Sequence, residues 1–471
     1  MQLSSRFCLL FWVALLFLSG CQRRLEQSDR PDPLPQDTFV QVYMNQNQAK
    51  GADYTDPYRN ITRPGDNLEQ VIIDAINTAK STIDIAVQEF RLPNIALALA
   101  EKQKTGVKVR VILENNYSRS WSEYSESEIK QLSDRDRSRY EEFIALVDRD
   151  RNKIISQAEI DRGDALMILR NAGIPVIDDT ADGSKGSGLM HHKFMVVDRF
   201  TVVTGSANWT TSGTHGDLTT AESRGNANNI LKINDTMLAS LFIEEFNWMW
   251  GDGVGKKPNS KFGVQKPYRS PQKLQIGQST ITVQFSPVSA SKSWQESSNG
   301  LIARTLNKAT QEINLALFVF SEQKLVDAIG SRHQQGVEVK ALIDPSFAFR
   351  EYSEGLDMLG VAMSQKKCSY EPGNRPWQNP ISTVGIPNLP SGDVLHHKVG
   401  VIDRTTVITG SHNWSATANN NNDETLLIIE NPVVAAHYDR EFNRLYNNSF
   451  LGLSSELQKK IAEREQNCRQ K

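Results

Sequence analysis

Two segments of the chain carry the same polar residues at the same spacing. The first reads His191-His192-Lys193-Phe194-Met195-Val196-Val197-Asp198, then six residues, then Gly205-Ser206-Ala207-Asn208-Trp209. The second reads His396-His397-Lys398-Val399-Gly400-Val401-Ile402-Asp403, six residues, then Gly410-Ser411-His412-Asn413-Trp414, at an offset of 205. Each begins an apolar run of strand length, and side chains two apart on a strand share a face. Each His therefore points with its Lys, while Phe194 and Val196, or Val399 and Val401, face the other layer. Asp198-Arg199 and Asp403-Arg404 read as turns into second strands. The Asp has the opposite parity, which suits an orienting residue better than a reacting one.

One His and one Lys per copy suit an interface where two imidazoles and two ammonium groups converge on one anion. The ammonium groups would neutralise non-bridging phosphate oxygens. Ser206, Asn208, Ser411 and Asn413 would add hydrogen bonds without competing charge. The chemistry this favours is phosphodiester cleavage. One His attacks phosphorus; the other protonates the leaving alcohol and then activates water. The candidate catalytic set is His191, Lys193, Asp198, His396, Lys398 and Asp403.

The doubled His-x-Lys-x4-Asp-x6-Gly-Ser-x-Asn pattern resembles the phospholipase D superfamily over roughly residues 65 to 450. The resemblance implies a bilobal α/β fold, the two-His mechanism through a phosphohistidine, and no cofactor required for catalysis. Members of that superfamily include phospholipases, nucleases, cardiolipin hydrolases and phosphatidyl transferases. The resemblance also implies an acidic segment after the motif, whose carboxylate orients a catalytic His. Asn421-Asn422-Asp423-Glu424-Thr425-Leu426-Leu427 matches it, with Glu424 as the acid. The first copy has Asn226-Ala227-Asn228-Asn229-Ile230-Leu231, with Asn229 at that place unless Glu222 or Asp217 supplies the acid. A carboxylate beside a His favours imidazolium. That reasoning makes His396 the general acid and His191 the nucleophile, the order usual in the family.

The elements that must hold these motifs are duplicated too. Ile83 to Phe90 parallels Ile313 to Phe320, and Gly106 to Leu113 parallels Gly336 to Ile343, each flanked by amphipathic helical patterns. Helix, strand, helix, strand predicts α/β units. The expected fold is two duplicated α/β sandwich halves, mostly parallel sheets flanked by helices, with the active site at the pseudo-twofold interface. The halves span 65–250 and 278–450. Between them, 251–277 reads as a basic linker (Lys256, Lys257, Lys261, Lys266, Arg269, Lys273), either solvated or touching anionic head groups. Residues 451–471 read as a charged C-terminal helix.

The first half carries an insertion at about 117–163. Within it, Asp148 to Glu159 resembles an EF-hand calcium loop, with Asp148, Asp150, Asn152, Ile154 (carbonyl), Ser156 and Glu159 as ligands and apolar Ile155 at the eighth position. Lys153 stands where that loop takes Gly for a φ > 0 turn. Calcium there would be structural or regulatory.

At the N-terminus Arg6, the apolar run Phe7 to Leu18 and Leu18-Ser19-Gly20-Cys21 have signal-peptide anatomy. The run is shorter than the roughly 20 residues of a membrane span. The last four residues resemble a bacterial lipobox, which implies cleavage after residue 20 and lipid on Cys21. Residues 21–64 follow as a tether. The expected location is the cell envelope, membrane-anchored, and the expected state a monomer. Cys368 and Cys468 remain for the mature chain, and export permits a disulfide without establishing one. Net charge of -2 over 471 residues gives no global drive toward nucleic acid. Phospholipid is thus the first expected substrate, nucleic acid the second. A calcium-responsive surface-binding lipoprotein is the non-enzymatic alternative.

Overall fold

The computed structural model describes residues 29–184 and 188–469. The expected signal segment and Cys21 lie outside the described residues. The first half runs β1 (Val40–Met44), β2 (Asp53–Thr55), β3 (Thr62–Pro64), α1 (Leu68–Thr78), β4 (Thr82–Val87), α2 (Pro93–Lys104) and β5 (Lys108–Leu113). The insertion supplies α3 (Glu126–Lys130), α4 (Asp134–Val147) and α5 (Gln157–Gly163). Then come α6 (Ala165–Asn171), β6 (Val176–Asp178), β7 (Lys193–Val197), β8 (Thr201–Gly205), α7 (Thr211–Thr214), β9 (Asn229–Asn234) and α8 (Thr236–Trp250). The second half runs β10 (Gln272–Ile276), β11 (Ser279–Ser286), α9 (Ser298–Leu306), β12 (Glu312–Leu317), β13 (Phe320–Ser321), α10 (Gln323–Gln334), β14 (Glu338–Ile343) and α11 (Glu354–Met358). It continues through β15 (Val384–Pro387), β16 (Lys398–Ile402), β17 (Thr406–Gly410), β18 (Trp414–Ser415), α12 (Ala416–Asn420), β19 (Glu424–Glu430), α13 (Pro432–Tyr446), β20 (Ser449–Leu451) and α14 (Ser455–Arg469).

The two main sheets have orders β1-β9-β8-β7-β4-β5-β6 and β10-β11-β19-β17-β16-β12-β14-β15-β20. Parallel pairing holds where a helix connects strands, in β4-β5-β6 and β12-β14-β15. The remaining ladder pairs are antiparallel, so the sheets are mixed rather than mostly parallel. The cause is the motif itself: β7-β8 and β16-β17 are hairpins. Asp198 and Arg199 (φ 50° and 57°), like Asp403 and Arg404 (φ 49° and 52°), occupy the left-handed region. That is the type I′ turn which matches strand twist in tight hairpins.

Alternation on the motif strands divides their side chains between two cores. Phe194 and Val196 join Val399 and Val401 in a core shared by both halves, together with Phe242 of α8 and Tyr438 of α13. Met195 and Val197 face the outer core of the first half, under α1, α2 and α6. Each such buried apolar side chain contributes about 1.5–3 kcal/mol. The central helices start at matching caps: Asp235 accepts from Leu238 N, and Asn431 from Val433 N and Val434 N.

Several boundaries differ from expectation. The described part of the tether expected over 21–64 is structured, because β1 is an edge strand of the first sheet and residues 30–37 are packed against both halves. Arg30 is buried and pairs with Asp53. Pro35 O accepts from His437, and Asp32 O from Arg440, both on α13. The linker is not simply solvated either: Lys266 is buried between halves against Glu245, Asp423 and Ser286 O, and Arg269 pairs with Glu245 and Glu244. These two cations answer internal carboxylates rather than head groups. Cys368 and Cys468 form a disulfide, with Cα atoms 5.3 Å apart, holding α14 to the second half. Among the described residues no helix is long and apolar enough to cross a membrane.

Candidate active site

The pocket is assembled at one end of both sheets. His191 and His396 lie two residues before β7 and β16, Ser206 and Ser411 follow β8 and β17, Asn228 directly precedes β9 and Glu424 opens β19. Backbone hydrogen bonds join these ends across the halves. His191 N donates to Asp423 O (3.0 Å) and His396 N to Ala227 O (3.1 Å).

This crossing decides which residue orients which imidazole. Glu424 was expected to hold His396, on its own half, and so to mark it as the acid; instead its Oε2 accepts from His191 Nδ1 at 2.7 Å, so that reason for making His396 the acid falls away. His396 Nδ1 donates to Asn228 Oδ1 at 2.9 Å. Asn228, not Asn229, therefore stands where the first half would carry the acid. Asn229 instead meets the neighbouring His397, with Nδ2 and Nδ1 2.9 Å apart. Glu222 is exposed, and Asp217 faces Gly392. Ser206 Oγ donates to Asn228 (2.8 Å) and Ser411 Oγ to Glu424 (2.6 Å), so each Ser fixes the residue that fixes the His.

Lys193 Nζ donates to His191 O (2.8 Å) and Gln88 Oε1 (3.2 Å), and Lys398 Nζ to His396 O (2.7 Å). Asn208 Nδ2 donates to the same Gln88 oxygen (3.3 Å). The halves are unequal here. Phe318 takes the place of Gln88, its ring 4.8 Å under Lys398 Nζ and 5.0 Å from His396.

Burial and mutual repulsion set the charge state. Burial, then Lys193 and Lys398, hold His191 well below the ordinary imidazole range. Burial, Lys398 and Lys193 do the same to His396. Each imidazole thus feels the other half's ammonium. Burial lowers Lys193 to about 7, against the attraction of Glu424 and Glu89, and lowers Lys398 well below its usual range. An arriving phosphodiester anion would reverse these shifts. A testable consequence has a definite sign. Lys193 carries its charge below about pH 7, so kcat/KM for a soluble phosphodiester should fall as pH rises through that value, and Lys193→Arg should remove the part of this fall that Lys193 contributes, leaving that of the proton donor His396. A flat profile from pH 6 to 9 in the wild-type protein would contradict it.

Asp198 and Asp403 lie at the far ends of the motif strands. Asp198 accepts from the backbone N–H of Lys80, Ser81 and Thr82, and Asp403 from those of Thr310, Gln311 and Glu312. They tie the hairpin turn to the start of β4 or β12, and neither faces the imidazoles. The second His of each doublet carried no assigned role in the sequence. His192 spans Thr425 Oγ1 (2.9 Å) and Glu245 (3.0 Å); His397 spans Asn229 and Glu441 (3.2 Å). Glu245 and Glu441 open the Glu-Phe-Asn repeats of the two central helices, which was the available signal. His412, an alanine in the other copy, is buried with no partner on either ring nitrogen. Burial holds it at about 4, against the pull of Glu424. Asn413 likewise keeps a buried carboxamide oxygen unpartnered.

The EF-hand-like loop lies between α4 and α5. Ligand atoms of Asp148, Asp150 and Glu159 fall within 4.8 Å of one another. Lys153 adopts φ 66°, the conformation the turn requires of the sixth position. Ile155 packs against the Trp121, Phe143 and Val147 cluster. Asn152 Oδ1 is engaged by Ile154 N, and Ser156 Oγ donates to Glu159. From α4, Glu142 Oε1 accepts from Leu218 N (2.9 Å) and Thr211 Oγ1 (3.2 Å), joining the insertion to the segment after the first motif.

The family model for the "Cardiolipin synthase, PLD-like domain" matches residues 72–250 and 302–446, the greater part of the chain. Among curated proteins, the mitochondrial cardiolipin hydrolase of Xenopus tropicalis is 29% identical over 141 residues, 30% of this chain and 57% of that protein. A phospholipase D of Rickettsia typhi is 28% identical over 149 residues, 31% of this chain and 63% of that protein. The chain thus spans a little over half the length of the curated relatives it matches. Phosphatidylserine synthase of Haemophilus influenzae Rd KW20 superposes with a TM-score of 0.52 at 11% identity, covering 90% of each chain, which is a likeness of fold. With both motifs inside the matched regions and both halves folded alike, the chain belongs to the phospholipase D-like family.

Proposed function

We propose that this protein is a phospholipase D-type phosphodiesterase that hydrolyses phospholipid head-group esters through a phosphohistidine. One observation carries the reading: the His191–Glu424 and His396–Asn228 pairs cross the pseudo-twofold, so two His-Lys sets serve one pocket. Glu424 accepts the Nδ1 proton of His191 and leaves the Nε2 lone pair to attack phosphorus. It also offsets the positive charge that develops on the ring. Lys193, Lys398 and Asn413 meet the non-bridging oxygens. As the P–O bond breaks, His396 gives a proton from Nε2 to the leaving alcohol. It then takes one from water, whose oxygen displaces His191 and leaves a phosphomonoester. These steps run between residues of a single chain, which supports a monomer.

The test is a panel of phosphatidylcholine, cardiolipin and single-stranded DNA, offered to protein lacking residues 1–21. Head-group release is the expected result. DNA cleavage without lipid turnover would overturn it in favour of a nuclease. Loss of no activity in His191→Ala or His396→Ala would favour a binding protein.

We also propose that Asp148, Asp150, Asn152, Ile154 O, Ser156 and Glu159 hold calcium, and that the chain is an exported lipoprotein anchored through Cys21. The converging carboxylates and the left-handed Lys153 support the first, and the Leu18-Ser19-Gly20-Cys21 sequence supports the second. Titration calorimetry should show calcium binding weakened at least about tenfold by Asp148→Ala, since each lost carboxylate removes a charged ligand. Absence of heat at millimolar calcium would refute the site.

A further inference from the structure

The packed N-terminal strap has a direction. β1 pairs antiparallel with β9, Val40 opposite Ile233 and Met44 opposite Asn229. Asn229 adjoins Asn228, so Met44 lies at the catalytic end of the sheet and Val40 at the opposite end. The strap that precedes β1 runs back along it: Gln36 Nε2 donates to Val42 O and Gln36 Oε1 accepts from Val42 N. Its later part, Asp37, reaches Asn431 at the start of α13, and its middle reaches His437 and then Arg440 further along that helix. Its beginning returns to the catalytic end. There Arg30 is buried, with its guanidinium on Gln48 O (2.9 Å), Ala49 O (2.5 Å) and both Asp53 oxygens (2.8 and 2.7 Å). Pro31 O accepts from Lys50 N (2.9 Å). The clamped loop follows directly on Asn45, whose Oδ1 accepts from Asn228 N (3.0 Å), the residue that orients His396.

The described chain therefore begins at the end of the sheets that carries the active-site residues, and it begins from a fixed point. Only eight residues lie between Cys21 and Arg30, a reach of about 30 Å at full extension. We propose that the strap turns the catalytic face toward the membrane holding Cys21, so the enzyme works in cis on phospholipids of its own leaflet. The interaction surface is the catalytic end of both sheets, and its partner is a phospholipid bilayer. This rests on the phospholipase reading and on lipid at Cys21.

The experiment uses the full, lipidated chain in vesicles of phosphatidylethanolamine and phosphatidylglycerol, with lipid attachment checked by palmitate labelling that Cys21→Ser removes. Donor dyes are placed at Asn115→Cys, exposed at the catalytic end after β5, or at Thr405→Cys, exposed at the opposite end after β16. The ends of the sheet are about 20 Å apart. Energy transfer to an acceptor lipid should be several-fold stronger from position 115 than from 405. Arg30→Ala, which frees the strap, should bring the two toward equality while leaving hydrolysis of a soluble phosphodiester unchanged. Equal or reversed transfer in the lipidated parent protein, or no palmitate at Cys21, would overturn the proposal. Head-group release from host vesicles against protein-free vesicles is measured in parallel. Strong transfer from 115 without release from either population would sink the phospholipase reading and leave the orientation standing; release equal in both would sink the cis action.

Discussion

His191→Ala should lower turnover of any phosphodiester by about 10^4-fold or more, because it removes the nucleophile from a site whose parts act as a unit. His396→Ala should also abolish steady-state turnover, but it should block the first step only for substrates with a poor leaving group. A p-nitrophenyl diester needs little proton donation, so this variant should still show a burst of p-nitrophenolate and then stall. Stalling follows because no group remains to activate water at the second step. The phosphorus label trapped in His396→Ala should map to His191 after mild alkaline digestion. A label on His396 in the His191→Ala variant would reverse the roles. Circular dichroism of both variants checks that the loss is chemical and not a failure to fold.

The second large effect belongs to Glu424. Glu424→Gln keeps the shape but presents an amide N–H to His191 Nδ1. That favours the tautomer with its proton on Nε2, where the lone pair is needed, and turnover should fall on the order of 10^3-fold. The loss should persist with the p-nitrophenyl substrate, because attack itself fails. Were Glu424 the partner of His396, the activated substrate would rescue the variant. Asn228→Asp gives the complementary result. It places a carboxylate on His396, stabilises its imidazolium, and should move the alkaline limb of kcat to higher pH with less than about tenfold change at the optimum. An unmoved limb would show that Asn228 does not act through His396.

The duplication, the strand parity of His and Lys, and the turns at Asp198 and Asp403 were legible in the sequence because they are local or repeated. Helical punctuation was legible too, as at α14. The partner of each His was not. Position counted along one chain puts Glu424 with His396, and only the backbone bridges from His191 to Asp423 and from His396 to Ala227 exchange the partners. The same limit hid His192 and His397, whose carboxylates sit 53 and 44 residues away. It also hid Lys266: a lysine in a Gly- and Pro-rich stretch gives no sign that it will be buried against Glu245 and Asp423. The strap was read as a tether because Pro31, Pro33 and Pro35 exclude regular structure; they do not exclude packing.

The exchange of partners has a consequence for how such a chain could arise and drift. Each half keeps the acceptor that its counterpart's histidine needs, so neither is competent as a solitary ancestor. A single half could work only by meeting a copy of itself, and one continuous chain makes that meeting permanent. The two copies are then free to differ, which is why one acceptor can be Glu424 and the other Asn228. Divergence between them is permitted, but separation is not: fragments ending in the linker should be inert alone and regain turnover only when mixed.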